Sequence, residues 1–246
     1  MSAAAWLRRL EPAKSVVVLE AATIGSGASG RTGGMALAET AAGDLPGLGD
    51  VLGGFSEIIS ELDVDCDLTL SGAWEIGRKE ALPDSPISWT DSGDLRVVSE
   101  VSGGTINPGK LVSGLARAAE HAGALICENA VVESMSLGEP LRFVANGKEL
   151  LARHALLATN ALSLEMSGLA GRAQPMFTMA VATAPLRRAQ IEELGLGAAK
   201  PFYTVDFPYL WGRLLPGDAV LFGGGLVRPA DWRELAALDV ATGEPA

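Results

Sequence analysis

The chain has 246 residues, of which 48% are hydrophobic, and this is enough to bury a substantial core in one or two domains. Its 30 acidic and 19 basic residues give a formal net charge of −11, which argues against general nucleic-acid binding because that function needs a basic surface. The 30 glycines and the low aromatic content of 5% favour an α/β protein with tight turns over a disordered chain.

The cysteines, the histidines and the lengths of the apolar runs bear on metal binding, membrane insertion and cellular location. Cys66 and Cys127 lie outside any CxxC pair, and His121 and His154 are the only histidines, so we expect two buried thiols in a reducing compartment and no metal site. No stretch reaches the roughly 18 apolar residues of a membrane span. The N-terminal arginines follow the apolar residues, which is the wrong order for a signal peptide. We therefore expect a cytoplasmic protein without a membrane span.

The first half of the chain alternates predicted helices and strands. Apolar residues at helical spacing predict helices over 2–11 and 48–62, and the β-branched run 16–19 predicts a strand buried on both faces of a parallel sheet. A third helix is predicted over 108–122, because Asn107 can cap it and a proline occupies its first position. Further strands are predicted over 68–77, 95–98, 124–127 and 130–136.

The second half of the chain is predicted to be richer in strands. Asn146-Gly147, between the apolar runs 141–145 and 149–152, is a strong signal for a β-hairpin. The short run 154–159 predicts another buried strand. The remaining predictions are a β-like run over 175–185 and a helix over 187–194. The segment 202–214 carries most of the late aromatic residues, and an apolar run 220–222 enters three glycines.

Two neighbouring features near the N-terminus suggest nucleotide binding. The strand 16–19 ends in Glu20, and a carboxylate at the carboxyl end of a parallel strand can accept hydrogen bonds from ribose hydroxyls. The loop 25–34 contains five glycines and Arg31, so its N–H groups and its charge could hold a pyrophosphate. An ordinary strand end or a flexible surface loop would account for either feature alone. Their succession along the chain is more specific than either one.

Four segments of the sequence together resemble one known protein family. VVVLEAATIGSGASGRTGG (16–34) resembles the second strand and following loop of D-amino-acid-oxidase-like flavoproteins, a family that includes glycine oxidase and γ-glutamylputrescine oxidase. Three further segments resemble the same family in the same order, so that the resemblance covers nearly the whole chain. They are INPGKLVSGLARAAEHAGA (106–124), ALLATNA (155–161) and WGRLLPGDAVLFGGG (211–225).

The resemblance implies FAD as the cofactor and oxidation of the C–N bond of an amine or amino acid to an imine, by hydride transfer to the flavin. O₂ or another acceptor would then reoxidise the flavin. Glu20 would bind the adenosine ribose, and Val131 would contact the adenine region through its backbone. The residues implied along the pyrophosphate and the isoalloxazine are Ser29, Arg31, Thr32, Gly33 and Gly34. The residues implied to line the cofactor elsewhere are Ala158, Thr159 and Asn160. The resemblance assigns no catalytic residue.

The sequence departs from the family at both ends. The G-x-G-x-x-G fingerprint normally precedes the helix that leads to the acidic strand end, but here that helix starts almost at Met1. Nothing after Gly225 resembles the glycine-rich segment with which the family returns to the flavin. We therefore expect a chain truncated at both ends, whose FAD-binding sheet lacks its first strand and part of its pyrophosphate cradle.

A late aromatic cluster is a candidate for the substrate site. Tyr203, Tyr209, Trp211 and Arg213 could form one side of a pocket, in which the arginine pairs with a substrate carboxylate and a tyrosine donates to it. Plain packing within a sheet would also account for these residues.

These observations predict an α/β flavoprotein with two interleaved domains. Residues 1–50 and 105–165 would form a Rossmann-like parallel FAD-binding sheet, and residues 51–104 and 166–246 an α+β substrate domain on an antiparallel sheet. One alternative is a catalytically incomplete fragment or subunit that needs a partner chain to bind FAD. Another is a nicotinamide or S-adenosylmethionine enzyme, against which the glycine-rich loop directly after the strand argues.

Overall fold

The computed structural model describes residues 1–39, 47–77, 88–89, 95–160, 164–168, 170–173, 176–204 and 209–227. Within these residues the fold is mixed α/β, as predicted, with a parallel pair of strands and several antiparallel sheets. The helices are α1 Ser2–Leu10, α2 Val51–Glu61, α3 Pro108–His121 and α4 Arg188–Glu193. The strands of the first half are β1 Val17–Leu19, β2 Met35–Leu37, β3 Ala73–Gly77, β4 Ser88–Trp89, β5 Leu95–Val101, β6 Gly103–Thr105 and β7 Leu125–Cys127. Those of the second half are β8 Val132–Ser136, β9 Leu141–Ala145, β10 Lys148–Ala152, β11 Phe177–Ala182, β12 Phe202–Thr204, β13 Leu210–Leu214 and β14 Val220–Val227.

The N-terminal strand β1 pairs in parallel with β7, and helices α1 and α3 pack together beside this parallel pair. Helix α3 begins at Asn107, whose side-chain oxygen accepts a hydrogen bond from the Lys110 N–H at 3.1 Å, as the predicted cap requires. Gly123 follows the helix with a φ of +90°, the left-handed conformation that glycine adopts without steric cost. The core here is built from small residues and a few larger ones: Ala4, Ala5, Ile59, Leu62, Val64, Cys66, Ala118, Ala119 and Ala124.

Two predictions about this region were wrong. The strand at 16–19 was expected to be buried on both faces, but the side chain of Val17 is 45% exposed and that of Leu125, its partner in β7, is 59% exposed. The run 154–159 was expected to be a buried strand, but it is not a strand and Leu156 is 71% exposed. Both segments are exposed because they lack neighbouring strands. Among the described residues β1 pairs with β7 alone, and 154–159 pairs with no strand.

A seven-stranded sheet, which we call the large sheet, dominates the rest of the structure. Its strand order is β11-β14-β13-β12-β3-β5-β4, and every pair is antiparallel except β12 with β3. The predicted antiparallel sheet is therefore present, with one parallel pair inside it. The face that packs on α4 holds a buried core, whose members include Ile76, Val97, Ile191, Leu196 and Phe202.

Two small sheets complete the structure. Strands β8, β9 and β10 form a meander, and the predicted turn at Asn146-Gly147 is present with φ values of +49° and +70°, as a two-residue hairpin turn requires. Strands β2 and β6 pair antiparallel. Because β2 follows the glycine-rich loop and β6 precedes α3, this pairing fixes the end of the loop beside the start of the helix.

Candidate functional site

Glu20 lies at the carboxyl end of the parallel pair. Its backbone N–H donates to the Cys127 carbonyl at 2.9 Å, and its own carbonyl accepts from the Ala130 N–H at 2.8 Å. One carboxylate oxygen, Oε1, accepts from the Ala22 N–H at 3.1 Å. The second oxygen has no hydrogen-bond partner among the described residues. A half-buried carboxylate with one free oxygen at this strand end is suited to accepting hydrogen bonds from ribose hydroxyls.

The glycine-rich loop 25–34 folds back on itself. Residues Ala28–Gly30 form a 3₁₀ turn, and a Cβ at Gly30 would lie 2.1 Å from the Gly25 carbonyl oxygen. Gly25 has a φ of +82° and lies against Val112 of α3. Any residue other than glycine at position 30 would therefore open the turn.

The end of the loop approaches the large sheet. A Cβ at Gly33 would lie 2.4 Å from a ring carbon of Trp211. A Cβ at Gly34, whose φ is +68°, would lie 2.5 Å from the Ile106 carbonyl oxygen and 2.8 Å from Arg213 Nη2. The sequence indicated that the loop backbone must come close to something, and at these two glycines the partners are β13 and the segment before α3.

Polar side chains lie on the outer side of the same loop. Ser29, Arg31 and Thr32 are exposed. The Thr32 hydroxyl accepts a hydrogen bond from the Gly34 N–H at 3.3 Å, and the Arg31 guanidinium has no ion pair or hydrogen bond within the described part of the chain. The loop therefore presents hydroxyls and an unpaired cation, a donor set that suits a phosphate group.

A row of paired residues crosses the face of the large sheet that meets the loop. Residues opposite each other in neighbouring strands point to the same face. The strand registers pair Ser99 with Glu75, Glu75 with Tyr203, Tyr203 with Trp211, and Trp211 with Gly223. We call these five residues the transverse row. The Trp211 ring also covers Gly223, where a Cβ would lie 2.2 Å from a ring carbon.

Two carboxylates meet at the hydroxyl of Tyr203. Its oxygen lies 2.7 Å from Glu39 Oε1 and 3.3 Å from Glu75 Oε1, and Ser99 donates to the other oxygen of Glu75. Burial raises the pKa of Tyr203 above its ordinary value, and the hydrogen bond to Glu39 and the two negative charges raise it further. The phenol therefore stays protonated and acts as a hydrogen-bond donor at neutral pH.

Arg213 is 8% exposed and lies on the same face as Trp211, two positions along β13. Its Nη1 donates to the carbonyl oxygens of Gly34 at 3.2 Å and Ile106 at 3.0 Å. Its Nε has no partner among the described residues, and burial lowers the pKa of the guanidinium. The observed bonds of this side chain therefore go to backbone of the loop and of the segment before α3.

The other predicted site residues lie in exposed segments or directly before β13. Val131 is exposed, and its N–H donates to Asn146 Oδ1 at 3.3 Å in the β9–β10 turn. Ala158, Thr159 and Asn160 are exposed and lie outside any strand. Tyr209 is half-buried directly before β13. The structure thus brings Gly33, Gly34, Tyr203, Trp211 and Arg213 around one junction, and it leaves the roles of all the predicted residues as predictions.

Sequence reasoning missed three polar residues at this junction: Glu39, Glu75 and Ser99. Glu75 stands between the buried Trp74 and Ile76, and this alternation indicates that it faces away from the core. The pairing of Glu75 with Tyr203 requires the parallel register of β12 on β3, which joins segments more than 120 residues apart. No local pattern reveals such a register.

The described residues contain neither a metal-binding cluster nor a helix that could span a membrane. No group of three or more His, Cys, Asp or Glu side chains is arranged there to hold a metal ion. Each described helix is too short or too polar to span a bilayer.

A glycine-rich loop after an acidic strand end, set against the face of a large, mainly antiparallel sheet, defines an α/β protein with a candidate nucleotide-binding loop. The profile of the DAO family, described as FAD dependent oxidoreductase, matches residues 1–242. The chain therefore belongs to this family of FAD-dependent oxidoreductases. No curated protein matches the chain in sequence.

Solved structures show the same fold at low identity. Glycine oxidase from Geobacillus kaustophilus has 16% identity and a TM-score of 0.66, over 94% of this chain and 69% of that one. L-Proline dehydrogenase from P. horikoshii has 15% identity and a TM-score of 0.67, over 94% of this chain and 68% of that one. Iminodiacetate oxidase from Chelativorans sp. BNC1 has 14% identity and a TM-score of 0.67, over 94% of this chain and 70% of that one.

Proposed function

We propose that this chain binds FAD and oxidises the C–N bond of a small amine to an imine. The family membership supports flavin-dependent oxidation. The observation that carries the proposal is the junction at which the glycine-rich loop meets the transverse row of the large sheet. The residues of the loop would hold the flavin, and the side chains of the transverse row would orient a substrate.

The residues of the loop side fit FAD in their chemistry. Glu20 offers a free carboxylate oxygen for the ribose, and the exposed Ser29, Arg31 and Thr32 offer hydroxyls and a cation for the pyrophosphate. Gly33 and Gly34 keep the end of the loop close to the sheet. When bound, the flavin supplies the acceptor for the hydride. The remaining proposed cofactor contacts are those of Val131, Ala158, Thr159 and Asn160.

The domain assignment is part of the same proposal. Residues 1–50 and 105–165 would hold the cofactor, and residues 51–104 and 166–246 would hold the substrate. The described residues form two separate hydrophobic cores, one beside the parallel pair and one under the large sheet. The first of them also takes in Ile59, Leu62, Val64 and Cys66, which this division places on the substrate side. A cytoplasmic location is also proposed, because Cys66 and Cys127 are both free thiols.

The substrate side would be formed by Tyr203, Tyr209 and Trp211, whereas Arg213, the fourth residue predicted there, bonds to the backbone carbonyls of Gly34 and Ile106. Trp211 supplies an aromatic surface next to the loop, and Tyr203 supplies a protonated hydroxyl. The carboxylates of Glu39 and Glu75 add negative charge at this hydroxyl, whereas the described hydrogen bonds of Arg213 go to backbone carbonyls. This excess of negative charge favours an amine over an amino acid, because the carboxylate of an amino acid would be repelled by Glu39 and Glu75.

Anaerobic reduction of the FAD-loaded protein tests the proposal. A panel of small amines and of matching amino acids would be mixed with the protein, and bleaching of the flavin would be followed by absorbance. We expect bleaching by amines, slower bleaching by the corresponding acids, and recovery of colour when O₂ or an artificial electron acceptor is added. Protein that holds FAD but is bleached by no amine or amino acid would contradict the proposed reaction.

A second candidate function is favoured by the exposed apolar residues around β1. Val17, Leu125 and Leu156 are 45%, 59% and 71% exposed, and the edge of β1 with which no described strand pairs could accept another strand. The chain would then be a subunit that binds FAD only with a partner chain. Protein that unfolds cooperatively yet retains no FAD would support this candidate and would count against independent activity.

A further inference from the structure

Strand β13 meets the loop at two successive positions. Trp211 lies against Gly33, and Arg213, two residues along the same strand face, lies against Gly34. The contact at Trp211 is a ring packed on a glycine. The contact at Arg213 is polar, because Nη1 donates to the Gly34 carbonyl.

The guanidinium joins three segments that are distant in sequence. It reaches from β13 to the Gly34 carbonyl at 3.2 Å and to the Ile106 carbonyl at 3.0 Å, directly before the cap of α3. The Ile106 N–H also donates to the Gly34 carbonyl at 2.9 Å. The Gly34 carbonyl therefore accepts two hydrogen bonds, one from the sheet and one from the segment before α3.

Holding an arginine here has an electrostatic cost. Arg213 is more than nine-tenths buried, none of the described carboxylates lies within ion-pair distance of it, and its Nε has no partner in the described part of the chain. Burial of such a cation is unfavourable unless hydrogen bonds compensate for the hydration that it loses. A lysine would keep the charge, but its ammonium ends a shorter side chain and lacks the planar fork of the guanidinium, so we expect it to replace these bonds only in part.

We propose that Arg213 is a positioning residue that fixes the end of the FAD-binding loop against the transverse row and does not itself bind substrate. This inference rests on the proposed function. The fixed carbonyl of Gly34 holds the last two residues of the loop in place, while Ser29, Arg31 and Thr32 remain exposed for the cofactor. A loop ordered in advance loses less conformational freedom when FAD binds, so affinity for FAD should depend on Arg213.

The experiment compares Arg213→Met and Arg213→Lys with Arg142→Met in the full chain. Arg142 is an exposed arginine in β9 whose side chain pairs with Glu149, so its replacement controls for the loss of a guanidinium elsewhere. The first readout is tryptic cleavage after the exposed Arg31 in the absence of FAD. Cleavage after the exposed Arg153, in a segment outside the sheets, is the internal reference.

We expect Arg213→Met to accelerate cleavage after Arg31 about tenfold, as for the loss of a charged hydrogen bond, with cleavage after Arg153 unchanged. Arg213→Lys should give a smaller increase, and Arg142→Met none. The second readout is FAD affinity, which should weaken about tenfold in Arg213→Met. For the amine of the panel that bleaches the FAD-saturated wild type fastest, KM should stay unchanged in both Arg213 variants.

Three results would overturn the inference. Unchanged cleavage and FAD affinity together with a raised KM would make Arg213 a substrate-binding residue. Equal acceleration after Arg31 and Arg153 in both Arg213 variants would make its role one of general stability. Cleavage after Arg31 that is unchanged in both variants would show that Arg213 does not hold the loop. The proteolysis needs no flavin, so failure of the wild type to bind FAD would count against the proposed function alone.

Discussion

The large sheet and the parallel pair of β1 and β7 differ in how completely they bury their apolar residues. Under the large sheet, Ile76, Val97 and Ile191 are fully buried and Phe202 is 2% exposed. In the parallel pair, Val17 and Leu125 are about half exposed, at 45% and 59%. The core beside the pair relies on alanines of α1 and α3, which bury less apolar area per residue than leucine or phenylalanine.

The difference follows from the number of neighbours that a strand has. The inner strands of the large sheet are paired on both edges and α4 covers one face, whereas β1 pairs on one edge only among the described residues. The same β-branched and apolar residue types can therefore be core residues or surface residues, depending on pairing. We infer that the large sheet sets the stability of the chain and that the parallel pair contributes less to it.

The largest expected effect compares one leucine from each region. Leu196 is 1% exposed beside α4, so Leu196→Ala should lower the free energy of unfolding by about 2–5 kcal/mol. Leu125→Ala, at a position that is 59% exposed, should change it by less than about 0.5 kcal/mol. Chemical denaturation measures both values. Equal losses would show that the two regions do not differ in stability as burial indicates.

The junction between the two regions is tested by a pair of glycines. Gly34 and Gly147 have φ values of +68° and +70°, so alanine carries the same backbone strain at both. A Cβ at Gly34 would also clash with the Ile106 carbonyl at 2.5 Å, whereas nothing lies within 4 Å at Gly147. Gly34→Ala should cost about 2–4 kcal/mol and Gly147→Ala about 1–2 kcal/mol, as measured by thermal unfolding. A cost at Gly34 no larger than at Gly147 would contradict the close approach of the loop to its neighbours.

Much of the local structure could be predicted from the sequence. The cap at Asn107 and the turn at Asn146-Gly147 depend on residues a few positions apart. The glycines of the loop 25–34 indicated a close approach, although its partners Ile106, Trp211 and Arg213 are distant in the sequence. The exposure of β1 and the absence of a strand at 154–159 could not be predicted, because each depends on whether a neighbouring strand is present among the described residues. Local patterns indicate the type of an element, and its partners determine its burial.

The same limit applies to the candidate site. The glycines and Glu20 stand out in the sequence because they lie in one short segment that few other folds would use. Glu39 and Glu75 do not stand out, since they reach Tyr203 only through the register of β12 on β3. The backbone bonds of Arg213 likewise depend on how the large sheet packs on the loop.

A smaller effect concerns the environment of Tyr203. The chain has two tyrosines, so Tyr203 is the only one left in Tyr209→Phe. Burial and the nearby carboxylates raise the pKa of Tyr203, so its stabilising contribution is complete below about pH 10, the ordinary value, and is lost as the pH rises through the raised pKa. In a titration of ultraviolet tyrosinate absorbance, the folded variant should ionise only above about pH 10. Ionisation at the ordinary value would contradict the described contacts with Glu39 and Glu75.

The smallest effect is expected at the surface near α3. The hydrogen bond from Lys110 Nζ to Asp67 lowers the pKa of that carboxyl below its ordinary value. The pair should therefore add a little stability above about pH 4 and lose it as the pH falls through the lowered pKa. Asp67→Asn should remove this dependence, and Asp65→Asn, whose carboxylate lies 3.9 Å from the same ammonium, should leave it nearly intact. Thermal midpoints measured across this pH range would show the difference.

The central claim is that the loop and the acidic strand end of this chain hold FAD. Equilibrium dialysis of the purified chain against FAD, with Glu20→Ala as the paired variant, tests it most directly. We predict stoichiometric binding by the wild type and affinity weaker by about tenfold in Glu20→Ala, for the loss of the hydrogen bonds to the ribose. Folded wild-type protein that binds no FAD, or equal affinity in both proteins, would contradict this account.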